Sequence, residues 1–216
     1  MTNELDKNDR NLVARTEQIV TDRLRGQQAG HGMDHVLRVL RSAREIQSEV
    51  GGGRLIVELA ALLHDVGDAK FNDGTERSAE FSREILAELD VPKDVIDHVA
   101  MIVDNISFRK RSTATELTLE GKIVQDADRL DALGAIGIVR TIEYGAVLGQ
   151  PFFTPGSHEQ PSKTGVGHFH EKLFKLRELL NTEPARRIAG QREQFMRTFL
   201  DQFLEECGVE KLKRGD

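Results

Sequence analysis

Apolar residues recur at steps of three and four along most of this chain, and that spacing predicts helices. Val36, Val39, Leu40, Ala43, Ile46 and Val50 line one face of a first amphipathic segment, and Phe81, Ile85, Leu86 and Leu89 line another. The same spacing runs through Val95, Val99, Ile102 and Val103, and late in the chain through Ile188, Phe195, Phe199 and Phe203. No alternating strand pattern competes with these stripes. Gly51-Gly52-Gly53 and Asn72-Asp73-Gly74 supply stops, and Thr182-Glu183-Pro184 reads as an N-cap followed by a first-turn proline. The expectation is an all-α fold of about eight or nine helices, since globular helices run about 8–20 residues.

A length of 216 residues suits one well-filled core, so the expected organisation is a single domain over 1–216. Its core spans 20–147, a long loop 148–167 follows, and C-terminal helices at 168–205 pack on the core. From Gly149 to Gly167, Pro, Gly, Ser and Thr replace the helical pattern. Loops longer than about 12–15 residues are uncommon in a compact domain, so this one is either a lid beside a pocket or surface decoration.

Charge narrows the classes of partner. With 30 basic against 36 acidic residues and a net charge of −6, the chain lacks the surplus of Lys and Arg that extended nucleic acid or an anionic membrane demands. The one cysteine, Cys207, rules out an internal disulfide and Cys-rich zinc chemistry. The opening residues lack a signal-peptide core, and eighteen consecutive apolar residues occur nowhere. A cytoplasmic protein is expected, with a homodimer left open.

Three segments carry candidate chemistry. His64 and Asp65 follow the apolar run Leu59-Ala60-Ala61-Leu62-Leu63, where burying an imidazole and a carboxylate requires a partner. A divalent cation is one answer; a satisfied histidine with an exposed aspartate is the other. His35 opens the first amphipathic helix, and His31 lies four residues earlier among glycines, in a lead-in loop. Asp126, Asp128 and Asp131 interrupt an apolar helix, with Asp128 and Asp131 on one face. They need a cation, or salt bridges such as those Lys122 and Arg129 could give. His98 and His158 read as surface residues.

A histidine, then an adjacent His-Asp, then a distant Asp resembles the pattern of the HD superfamily of metal-dependent phosphohydrolases. The string Ala127-Asp128-Arg129-Leu130 is similar to the family's terminal motif and favours Asp128 over Asp126. Asn105-Ile106-Ser107-Phe108, the run from Gln125 to Gly137, and His168-Phe169-His170-Glu171-Lys172-Leu173 extend the resemblance to a bacterial subgroup of the YpgQ and YedJ type. The resemblance implies an HD-domain helical bundle with His35, His64, Asp65 and Asp128 holding one divalent metal ion. Imidazole and carboxylate ligands together suit Mn, Fe, Ni, Co or Zn, with Mg held more weakly.

The implied activity is hydrolysis of a phosphate ester or anhydride in a small nucleotide, namely a nucleoside triphosphate split to monophosphate and pyrophosphate. Phosphodiesterase and nucleoside monophosphatase activities are the alternatives within enzymes, and a non-catalytic nucleotide-binding signalling module the alternative outside them. Asp68 and Lys70 are expected in catalytic roles. His31, Asn105, Arg109, Lys122, His168 and Lys172 are expected to contact substrate, Lys110 could add positive charge, and Asn105 could equally cap its own helix.

Overall fold

The computed structural model describes residues 5–26, 32–69, 72–106, 116–155 and 163–209. Among the described residues there are nine α-helices, a seven-residue 3-10 helix at Leu173–Leu179 and no strand. The helices are α1 (Lys7–Arg23), α2 (Met33–Val50), α3 (Arg54–Leu63), α4 (Ser78–Glu88), α5 (Lys93–Asn105), α6 (Leu119–Asp131), α7 (Gly134–Val147), α8 (Gly165–Glu171) and α9 (Glu183–Glu206). The expected all-α class holds. None of these helices is long and apolar enough to cross a membrane. The chain divides into two compact units, Met1–Asp128 and Arg129–Asp216.

In the first unit α3 is the central helix. Its residues Val57 to Leu63 are all buried, Glu58 alone among them being charged, and α1, α2 and α5 surround it while α4 packs on α5 and α1. Gly51, at φ 82°, ends α2 in a conformation that side chains resist, and Gln47 closes the turn by donating to the Gly52 carbonyl at 3.1 Å. The result is a tight α2–α3 hairpin, which brings the beginning of α2 beside the end of α3.

Glu58 sits inside that hairpin, only 1% exposed, and accepts from Arg44 Nη2 at 2.6 Å and Arg54 Nε at 2.7 Å. Burial alone would raise its pKa. The two guanidiniums outweigh that and hold the carboxyl below its ordinary value.

The second unit is built from α7, α8, α9 and the 3-10 stretch Leu173–Leu179. The inward stripe of α9 is Ala185, Ala189, Met196 and Leu200, one position away from the aromatic stripe that the spacing suggested. Phe195 is 52% exposed. Phe199 and Phe203 instead pair with Phe152 from the segment after α7, at ring separations of 6.2 and 5.1 Å. Two α9 helix faces are apolar, and hydropathy alone cannot say which one packs.

The long loop is also tied down at its ends. Gly165 and Val166 donate their amides to the carbonyls of Pro151 and Phe152, at 3.1 and 2.9 Å, and α8 begins inside the segment expected to be loop.

Candidate metal centre

α3 runs out of apolar residues at Leu63, and His64 is its C-cap. The chain then turns tightly, with Val66 N donating to Leu63 O and Asp68 N to Asp65 O, each at 3.2 Å. α2 starts at Met33 after the Gly32 N-cap, which sets His35 in its first turn. The hairpin therefore delivers the two histidines to one place. α6 brings the third element, its start fixed where Glu120 Oε1 accepts the Gly53 amide at 2.8 Å. His98 takes part in that anchor, 3.0 Å from Thr118 Oγ1, and is half-buried rather than on the open surface.

His35 Nε2 and His64 Nε2 face each other at 3.1 Å. Asp65 Oδ2 lies 3.5 Å from His35 Nε2 and 3.6 Å from His64 Nε2, and Asp128 Oδ1 lies 3.5 and 4.0 Å from the same two atoms. His64 Nδ1 is 2.8 Å from the Ala61 carbonyl. A carbonyl only accepts, so Nδ1 carries the proton and the Nε2 lone pair points into the cluster.

The separations suit an ion. Ligand bonds of about 2.1 Å set neighbouring ligand atoms about 3.0 Å apart in an octahedron and about 3.4 Å apart in a tetrahedron. The five separations here, 3.1 to 4.0 Å, are that geometry slightly opened. His35, His64 and Asp65 form a group that could hold a metal ion, and both histidines place Asp128 beside it. The imidazoles are 1% and 3% exposed whereas Asp65 is 17% and Asp128 39% exposed, so the cluster opens on its carboxylate side.

The other expected residues are scattered. Asp68 is half-buried in the turn and receives the Asn72 side-chain amide at its backbone carbonyl. Asn105 Nδ2 donates to Met101 O at 2.8 Å, the helix-capping arrangement. Lys122 stands 3.9 Å from the exposed Glu116, nearly two turns of α6 before Asp128. His168 and Lys172 belong to the second unit; burial first, then the Lys172 charge, lowers the His168 pKa against the opposing pull of Glu171. Asp126 is fully buried on another side of α6 from Asp128. Asp131 pairs with Arg140, and Arg129 donates to the Leu179 carbonyl. His31, Lys70, Arg109, Lys110 and His158 lie outside the described residues.

The HD-domain sequence pattern matches residues 32–133, a stretch that contains all four clustered side chains. YpgQ of Bacillus subtilis is 37% identical over 86% of this chain and 87% of its own length. The chain belongs to the HD-domain family. An HD-superfamily hydrolase from Bacillus thuringiensis superposes with a TM-score of 0.79 at 37% identity, covering 94% of this chain and 100% of its own. The structure of B. subtilis YpgQ in complex with ADP gives 0.78 at 31% identity, over 92% and 96%.

Sequence reasoning missed two local contacts, the buried Glu58 pair and the packing of the start of α4 against the turn after His64. Glu58 was visible as a lone charge in the apolar run Leu55 to Leu63, the usual sign of a buried ion pair. Ser78 and Glu76 carried no such signal, because their partners are set by tertiary contact.

Proposed function

We propose that this HD-domain chain is a divalent-metal-dependent phosphohydrolase that acts on nucleotides, cleaving a nucleoside triphosphate to monophosphate and pyrophosphate. The observation that carries the reading is the convergence of two imidazole Nε2 atoms at 3.1 Å with two carboxylates alongside. The hydrolase description of the B. thuringiensis relative and the ADP bound by B. subtilis YpgQ support the reaction class and the nucleotide.

In this reading His35, His64, Asp65 and Asp128 are the ligands. A bound divalent ion supplies Lewis-acid stabilisation of charge on a phosphoryl group and makes water a usable nucleophile near neutral pH. The remaining chemistry belongs to side chains. Asp68, three residues beyond Asp65, orients the attacking water and accepts its proton, and Lys70 is the other residue assigned a catalytic role. The water oxygen bonds to phosphorus as the anhydride bond breaks, and pyrophosphate leaves with its electron pair. His31, Asn105, Arg109, Lys122, His168 and Lys172 are assigned to phosphate and nucleoside contacts.

Incubation of the full chain with Mn²⁺ and each deoxynucleoside triphosphate, followed by product separation, tests this. Equal amounts of monophosphate and pyrophosphate are expected. Orthophosphate release would mean a phosphatase, and tight nucleotide binding without any product would mean a binding module.

A further inference from the structure

The turn that carries Asp65 and Asp68 is held from outside by the first residues of α4. Gly67 N donates to Ser78 Oγ at 3.1 Å in a buried contact, and Arg77 N donates back to Gly67 O at 2.9 Å. No side chain fits between them: a Cβ on Gly67 would stand 2.6 Å from the Arg77 carbonyl carbon, 2.7 Å from Ser78 N and 2.8 Å from the Phe81 ring. Phe81 is itself pinned, with the Arg23 and Arg77 guanidiniums 3.9 and 4.5 Å from its ring centroid.

Ser78 is the first residue of α4, after the Arg77 N-cap. Its amide donates to Glu76 Oε1 at 2.9 Å, and its hydroxyl accepts from Gly67 N at 3.1 Å. The side chain is 1% exposed, so no water competes for the contact. Ser82, one turn later and fully buried, donates its own hydroxyl to Ser78 O at 2.6 Å and does not reach the turn.

From this geometry we infer that Ser78 is a positioning residue of the metal centre, fixing the His64–Asp68 turn so that the Asp65 carboxylate meets the two imidazoles. The inference rests on the proposed metal-binding role of that cluster. Removing the hydroxyl leaves the Gly67 amide buried without a partner, and the turn relaxes to satisfy it. Ser78 touches neither metal nor substrate.

The test is Mn²⁺ affinity by titration calorimetry on the full-length chain, at a temperature where every variant is folded. Ser78→Ala is expected to weaken binding at least about tenfold, the scale seen for residues that orient ligands. Ser82→Ala, which deletes an equally buried hydroxyl in the same helix, is expected to lower the melting temperature while leaving affinity within about twofold. Equal affinities for Ser78→Ala and Ser82→Ala would overturn the positioning role, while Asp65→Ala would still abolish binding. Wild-type protein that takes up no Mn²⁺ at all would instead overturn the metal reading, and the role of Ser78 with it.

Discussion

The α2–α3 hairpin buries one carboxylate, Glu58, partway along its contact and gathers a histidine–carboxylate cluster where α2 begins and α3 ends, and the two are settled in opposite ways. Glu58 receives two guanidiniums, so its charge is answered inside the chain. In the cluster, Asp65 and Asp128 have imidazoles as their described ion-pair partners, and those imidazoles turn Nε2 atoms toward one another. Arginine is always protonated and can only be a counter-charge. Histidine with its Nδ1 proton committed to a carbonyl offers a lone pair, which is what a ligand must do. Glu58 is thus answered by two fixed counter-charges, whereas the histidine–carboxylate cluster is a group that could hold a metal ion.

Substitutions can break this contrast. Asp65→Ala is expected to reduce Mn²⁺ affinity by more than about 100-fold, beyond the effect of losing an outer partner, with the metal-free protein melting nearly where wild type does. Glu58→Ala is expected to do the reverse. It should cost roughly 2–3 kcal/mol of folding stability in chemical denaturation, toward the low side for a broken buried pair because Arg44 and Arg54 are 42% and 34% exposed and can reach water. Metal binding should survive it.

The pH dependence sharpens the same point. Because the folded pKa of Glu58 is depressed, its contribution is complete above the unfolded value of about 4.3 and is lost as pH falls through the folded one. Glu58→Gln is therefore expected to flatten the loss of metal-free stability below about pH 4.3. A melting curve series that falls as steeply as wild type would place the acid-sensitive charge elsewhere. The smallest effect belongs outside the hairpin: Phe195→Ala should stay within about 0.5 kcal/mol of wild type, since the ring is 52% exposed. A core-sized loss would restore the aromatic stripe as the packed face of α9.

Helix positions were legible because buried stripes and glycine stops are local signals. α2, α4 and α5 fall where Val36 to Val50, Phe81 to Leu89 and Val95 to Val103 put them. The four clustered side chains were legible for a different reason: a histidine and carboxylates inside apolar helices have few stable surroundings, and a family pattern ordered them. The face of α9 was not legible, because Phe195 and Phe199 stand next to Met196 and Leu200 and only the neighbours decide which pair is covered. Nor was the contact between Ser78 and Gly67, since nothing in Glu76-Arg77-Ser78 reveals that Gly67 will lie against it.

The most direct test is an anomalous difference map from crystals of this chain grown with Mn²⁺. One peak is expected, within about 2.0–2.3 Å of His35 Nε2, His64 Nε2 and an oxygen each of Asp65 and Asp128. A map with no peak among these atoms, or a peak ligated by other side chains, would contradict the account.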